Sequence, residues 1–288
     1  MSFWVFIDVS YLMNRAFYAM GAGKSVDGPG ATFGFFRDIL ELRAMFGPER
    51  FVFAFDAGYD YRREIYPGYK QRERTEEELQ AKATLGKEIA ALRNEYLPAL
   101  GYANLLWQPG FEADDMLAAA CQALPQGDEA VIVSADEDLW QLVSAAVWCY
   151  SPKSKKAITH ESFRRDWGIE PPFWAHVKAM AGCSSDKIPG IRGIGEGSAA
   201  KWFAGKLKQC DGKPKKDGSP CGCKYCLIAR DGLDTHNRNI LLTRLPAPGT
   251  TLPVWRTDTL SGEKWNRVVS ELGLRTLIDS RYECKSPV

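Results

Sequence analysis

Five short apolar runs constrain this chain most: "FWVFIDV" (3–9), "FVFAFD" (51–56), "ANLLW" (103–107), "EAVIVS" (129–134) and "AVWCY" (146–150). Each is rich in β-branched or aromatic residues and lacks the polar alternation of a strand with one wet face, so each reads as a strand buried on both sides. Helix-like segments at 31–47 ("ATFGFFRDILELRAMFG"), 75–101 ("TEEELQAKATLGKEIAALRNEYLPALG") and 112–124 lie between them and are long enough for the crossovers that parallel strands require. The expected fold class is therefore α/β, a mostly parallel sheet flanked by helices. From about residue 160 the strand signal fades, and "THESFRRDWG", "PPFWAHVKAMAG" and "GEGSAAKWFAGKL" read as short helices broken by Gly and Pro. The expected division is an α/β domain over 1–159 and a helical region over 160–288.

Charge narrows the function classes. Lys plus Arg (37) nearly balances Asp plus Glu (36), so no global field draws the chain to nucleic acid or membrane, and charge has to act locally. The opening "MSFWVFIDVSYLMNR" is interrupted by Asp8 and lacks a basic n-region and a small-residue cleavage site. No run approaches the ~18 apolar residues of a membrane span. A cytoplasmic protein without a membrane partner is expected, with its eight cysteines as thiols or metal ligands.

In an open parallel sheet, ligands bind beyond the carboxyl ends of the strands. Asp8 and Asp56 lie at the ends of the first two runs, Glu112, Asp114 and Asp115 follow the third, and Asp136 and Asp138 follow the fourth. Singly, each has an ordinary reading: Asp8 or Asp136 as a helix cap, Asp56 as the start of a turn. Together they form an edge of like charges, which repel by about 4 kcal/mol per pair at 4 Å and an effective dielectric of 20. Hard oxygens in such a set suit Mg²⁺ or Mn²⁺, and two such ions roughly 3.5–4 Å apart make phosphodiester hydrolysis the natural chemistry.

The positive side is supplied by "DYRREIYPGYKQRER" (60–74), where Arg62, Arg63, Lys70, Arg72 and Arg74 interleave with Tyr61, Tyr66 and Tyr69. That mixture suits a groove that tracks a phosphate backbone and stacks bases. In "DKIPGIRGIGEGSAAKW" (186–202), Gly193, Gly195 and Gly197 precede an Ala-rich helix whose exposed amides suit a phosphate without reading bases.

In their order and spacing, "FIDVS", "FAFDAGYDYRREIYPGYKQR", "GFEADDMLA", "VSADEDLWQLV" and "MAGCSSDKIPGIRGIGEGSA" resemble the 5′-nuclease superfamily: flap endonucleases, phage 5′→3′ exonucleases and the N-terminal nuclease domain of bacterial DNA polymerase I. The resemblance implies a PIN-like sheet, a helical arch over 58–80, and a C-terminal helix-hairpin (H3TH) DNA-binding element. It also implies a two-metal 5′→3′ exonuclease or flap endonuclease, with ligands at Asp8, Asp56, Glu112, Asp114, Asp115, Asp136, Asp138 and Asp186. Lys70, with Tyr69 beside it, would contact the scissile phosphate; Arg72 and Arg74 would belong to the same arch. K⁺ would sit on the carbonyls of Gly190, Ile191 and Ile194. Expected partners are DNA with 5′ ends, flaps or branched junctions, and replication proteins, for a monomeric enzyme in a phage or bacterial replication setting. One departure stands out: Cys183 and Lys187 replace the family's aspartate and asparagine, which predicts weaker occupancy of the second metal position. A PIN-like ribonuclease and a catalytically weakened structure-specific DNA-binding protein are the alternatives.

Cys210, Cys221, Cys223 and Cys226 punctuate a polar insertion over 208–234 that otherwise lacks apolar anchors. Tetrahedral Zn²⁺ is the expected staple, with free thiols or a site that uses His236 as alternatives. Residues 201–230 carry eight Lys or Arg, among them Lys201, Lys213, Lys215 and Lys216, against Asp211 and Asp217. The insertion is therefore expected to extend the DNA-binding surface.

Overall fold

The computed structural model describes residues 1–19 and 30–278. Strands β1 (Phe3–Asp8), β2 (Arg50–Ala54), β3 (Leu105–Leu106), β4 (Glu129–Val133), β5 (Val147–Ser151) and β6 (Lys156–Ile158) form one sheet in the order β3-β2-β1-β4-β5-β6. Neighbours are parallel except β5 and β6. Each of the five apolar runs supplies a strand. The short β6, with Lys156 exposed, is the addition, and a charged edge strand of this kind carries no apolar signal.

Period-two alternation puts Val5, Ile7, Phe51, Phe53, Val131 and Val133 in one core and Trp4, Phe6, Val52, Ala54, Ala130 and Ile132 in the other. All are essentially buried, which is why the strands read as continuous apolar runs. Each large side chain so buried contributes roughly 1.5–3 kcal/mol.

Helices α1 (Val9–Ala19), α2 (Gly30–Phe46), α3 (Asp60–Ile65), α4 (Glu76–Ala91), α5 (Leu97–Leu100) and α6 (Ala113–Gln122) fill the crossovers. The segment expected as one helix over 75–101 is α4 and α5 joined by a π turn at Leu92–Tyr96. It starts on a reciprocal cap in which Thr75 Oγ1 accepts the Glu78 amide (3.2 Å) and Glu78 Oε2 accepts the Thr75 amide (3.0 Å). It ends on Gly101 in the left-handed region (φ 97°).

The C-terminal helices are α7 (His160–Trp167), α8 (Trp174–Ala181), α9 (Glu196–Phe203), α10 (Lys224–Thr243) and α11 (Gly262–Glu271). Between α8 and α9, β7 (Gly182–Cys183) and β8 (Ile188–Pro189) form a small antiparallel pair. Within the segment expected as an insertion over 208–234, residues 224–234 form the first turns of α10. After α10 the chain returns to the sheet. Trp255 packs 4.8 Å from the Trp4 ring and donates to the Ala123 carbonyl (2.8 Å). On the opposite face, the buried Trp265 meets Phe36 at 5.5 Å. No helix among the described residues is long and apolar enough to cross a membrane.

Candidate functional site

Register gathers the acids. Asp8 ends β1 opposite Ala54 of β2, and Ile7 lies opposite Val133 of β4. The carboxyl ends of these strands thus share one edge, and β1 sits at the centre where the strand order reverses. Asp8 accepts from the Tyr11 amide (2.9 Å) and Ser134 Oγ (2.8 Å). Asp56 accepts from Ser10 Oγ (2.5 Å) and the Ala113 amide (2.8 Å), and Asp136 accepts from the Asp138 amide (2.8 Å). The capping roles and the convergence therefore coexist: the caps orient carboxylates that keep further lone pairs.

The crowded acids at the start of α6 separate into three environments. Asp115 is fully buried in a bidentate pair with Arg62 (2.7 and 2.9 Å) and also accepts the Ala247 amide (2.8 Å) and the Glu112 amide (3.1 Å). Its oxygens are committed to the protein, so the expected ligand role does not fit Asp115. Arg62, expected in the phosphate groove, is buried with it and donates from Nε to the Leu242 carbonyl (3.0 Å). Glu112 holds Lys70 Nζ (2.5 Å) and the Tyr69 hydroxyl (2.7 Å). Asp114 points into the acidic edge, where burial and the charges of Asp136, Asp8 and Glu112 raise its pKa well above the ordinary carboxylate value.

A second acid group contains Asp138, Cys183 and Asp186, whose ligand atoms lie within 4.8 Å of one another. Cys183 faces these acids with its thiol 2.9 Å from Ser185 Oγ, and burial raises its pKa. Besides Lys70, whose Nζ lies 3.7 Å from Asp186, this group faces Lys178, which the sequence did not single out: its Nζ lies 3.0 Å from Asp138 and 2.9 Å from Glu196. It sits on the apolar α8, where one lysine among core residues resembles an ordinary surface position. Lys187 is exposed, and its amide closes a turn on the Ser184 carbonyl (3.3 Å).

Electrostatics tests whether this edge suits a divalent ion. Burial, then Asp56, pushes Asp8 up to about 7; burial, then Asp138, raises Asp136; burial raises Asp138 against the pull of Lys178. Burial works against the Lys70 charge, but Glu112 and Asp186 outweigh it and hold the ammonium above the ordinary lysine range. The protein's own cations thus leave the edge short of positive charge, and the open donors are hard oxygens. That set fits Mg²⁺ or Mn²⁺.

The edge opens into a cavity of about 900 Å³. Its lining combines Lys70, Arg72, Arg74 and Lys82 with Asp56, Glu112, Asp136 and Asp186. Lys70 adopts φ 50°, and its amide donates to the Asp186 carbonyl (2.9 Å), which joins the segment between α3 and α4 to the second acid group. Tyr69 is buried against Tyr59 (5.8 Å) and does not offer a stacking face to the cavity; it positions Glu112.

At the hairpin before α9, Ile191 and Ile194 are buried while Gly193, Gly195 and Gly197 are exposed at the helix start. The Ile191 carbonyl accepts the Ile194 amide (3.0 Å). Lys201, Lys213, Lys215 and Lys216 are exposed. The sulfurs of Cys210, Cys221, Cys223 and Cys226 lie within 4.8 Å of one another. His236 is elsewhere, stacked on His176 with 2.8 Å between ring nitrogens.

Residues 4–168 match the family model described as 5′-3′ exonuclease, N-terminal resolvase-like domain. DNA polymerase I of Mycobacterium bovis is 34% identical over 300 residues, covering 96% of this chain and 31% of that protein. The thermostable DNA polymerase I of Thermus thermophilus is 36% identical over 203 residues, covering 68% of this chain and 23% of that one. The chain thus spans less than a third of the length of these curated relatives. Among solved structures, the bacteriophage T5 D15 flap endonuclease in a pseudo-enzyme-product complex with DNA and metal ions shares the fold at TM-score 0.66 and 19% identity, covering 95% of this chain and 96% of that one. Human GEN1 in complex with Holliday junction DNA does so at TM-score 0.57 and 15% identity, covering 94% and 68%.

Proposed function

The chain belongs to the 5′-3′ exonuclease family, whose N-terminal resolvase-like domain model spans its residues 4–168, and from that premise we propose that it is a divalent-metal-dependent 5′→3′ exonuclease and flap endonuclease of DNA. The observation that carries the reading is the junction of an under-neutralised carboxylate edge with a cation-lined cavity, Lys70 standing between them. Asp8, Asp56, Glu112, Asp114 and Asp136 would hold one Mg²⁺ or Mn²⁺ ion, and Asp138 and Asp186 the second, less firmly because Cys183 adds a soft, protonated thiol. When bound, the ions supply Lewis acidity and lower the pKa of water.

The protein's own groups do the positioning. The Lys70 ammonium, fixed by Glu112, meets the negative charge on the scissile phosphate, and Arg72, Arg74 and Lys82 steer the strand through the cavity. The glycine hairpin at α9 presents backbone amides to the duplex, and K⁺ on the carbonyls of Gly190, Ile191 and Ile194 would strengthen that grip. Water adds to phosphorus and gives up a proton as the P–O3′ bond breaks, and the leaving O3′ takes up a proton, which yields a 5′-phosphate and a 3′-hydroxyl.

A 5′-flap DNA labelled at both ends, incubated with Mg²⁺ or EDTA, tests this. Mg²⁺-dependent release of short 5′-phosphorylated products, abolished in Asp136→Asn, is expected. Equal cleavage of a matched RNA, or cleavage in EDTA, would refute it.

A further inference from the structure

From the loop between α9 and α10 we infer that Cys210, Cys221, Cys223 and Cys226 bind one zinc ion, which holds a basic loop in place as an additional grip on duplex DNA. The grip rests on the nuclease reading; the zinc site does not.

The four thiols are free, and their sulfurs lie within 4.8 Å of one another. Cys210 and Cys221 are 3.7 Å apart. A tetrahedron with Zn–S bonds of about 2.3 Å has an edge of roughly 3.8 Å, so this pair is already at ligand separation. Amides also point at sulfur: Cys226 N–H donates to Cys223 Sγ (3.5 Å), and the Gly212 amide donates to Cys210. Such donors support metal-bound thiolates. Four soft ligands in a compact set select zinc over the hard ions of the carboxylate edge.

The loop has little else to hold it. Residues 208–223 form neither helix nor strand and contribute nothing to the hydrophobic clusters. A turn brings the Lys215 amide to the Ser219 carbonyl (2.8 Å), with Lys215 and Lys216 exposed at the tip. The cysteines root this tip in the helix pair, because Cys223 caps α10 and the adjacent Lys224 donates to Ser198 of α9 (2.6 Å). Tyr225 packs on Trp202 of α9 at 5.1 Å. The lysine tip is thereby joined to the helix whose glycine-rich start faces outward, and a surface of this charge complements phosphates.

Cobalt exchange and DNA binding test the two halves separately. Thiolate-to-cobalt charge-transfer absorption grows with the number of sulfur ligands, so a four-cysteine site far exceeds the single thiol, Cys183, that stands at the carboxylate edge. One cobalt per chain with this absorption is expected in the wild type, lost in Cys223→Ser/Cys226→Ser. No absorption in the wild type, or full absorption in that variant, overturns the site. Binding is measured on a duplex closed at both ends by loops, which offers no 5′ end. Lys213→Glu/Lys215→Glu/Lys216→Glu should keep the absorption, bind at least tenfold more weakly, and flatten the log K against log [salt] slope by about 2.7, three phosphate contacts at roughly 0.9 each. The double cysteine variant should lose affinity to the same degree, and unchanged affinity there overturns the loop's role. Wild-type absorption with no duplex binding would sink the nuclease reading and the grip together, with the zinc site intact.

Discussion

Arg62 and Asp115 form a buried joint, and Arg62→Met is the perturbation that exposes its worth. The wild-type guanidinium makes a two-bond fork to Asp115, lies 3.2 Å from Glu112 and caps the Leu242 carbonyl, with its side chain 4% exposed and that of Asp115 0%. Methionine fills similar volume but leaves Asp115 charged with only the Ala247 and Glu112 amides as donors. Stranding a buried charge in this way costs about 3–5 kcal/mol. At roughly 2–4 °C of Tm per kcal/mol for a chain of this size class, the expected fall is about 6–20 °C. The assay is urea unfolding followed by tryptophan fluorescence, with the free energy extrapolated linearly to water. Because the pair is coupled, Arg62→Met/Asp115→Leu should recover at least about 2 kcal/mol relative to the sum of the single changes. Additivity within about 0.5 kcal/mol would refute the joint. A functional corollary separates structure from chemistry: Asp115→Asn should lower stability yet leave the Mg²⁺ half-saturation of cleavage in place, whereas Asp136→Asn should abolish cleavage without a comparable loss of stability.

Further outcomes follow from the same geometry. Lys70→Ala should slow single-turnover cleavage by about 10²–10³ with the fold unchanged by circular dichroism, since it removes a preorganised cation from the phosphate; a loss below threefold would contradict that role. Cys183→Asp should move the cleavage curve to lower Mg²⁺ concentration, and superimposable curves would refute the weakened second site. Asp8 titrates near 7 in the folded chain against an ordinary 3.8, so between those values the folded state holds a proton that the unfolded state has lost. In EDTA its contribution therefore makes stability fall as pH rises from about 4 to 7, the opposite of a salt-bridged aspartate. Mg²⁺ uptake at pH 6 should release protons in calorimetry run in buffers of different ionisation enthalpy, and buffer-independent heats would oppose this. Gly190→Ala should unfold the hairpin locally, because a Cβ there would lie 2.1 Å from the Ala181 carbonyl oxygen, and loss of amide protection around residues 182–194 would show it.

Much of this was legible in residue order because buried parallel strands announce themselves as apolar runs and because acids that follow such runs must share an edge. The same periodicity failed for "KAI", an exposed edge strand. What the one-dimensional pattern could not carry was partner choice. Glu112, Asp114 and Asp115 look equivalent in sequence, yet the turn of α6 sends them to Lys70, to the acidic edge and to Arg62 respectively. Arg62 likewise resembles its exposed neighbour Arg63 until α3 is packed against α10. Lys178 was invisible for the converse reason, a lone cation in an apolar helix whose meaning depends on Asp138 and Glu196 from distant segments.

The returning segment that carries Trp255 and Trp265 bears on how the molecule can be dissected. Since it lays one indole on each side of the sheet, a fragment cut after residue 168 would retain the first strands and most of their acids but bare apolar skin on both faces, and would clump instead of working as a miniature enzyme. The two halves should accordingly melt in a single cooperative step, the tail serving as the clasp of the whole.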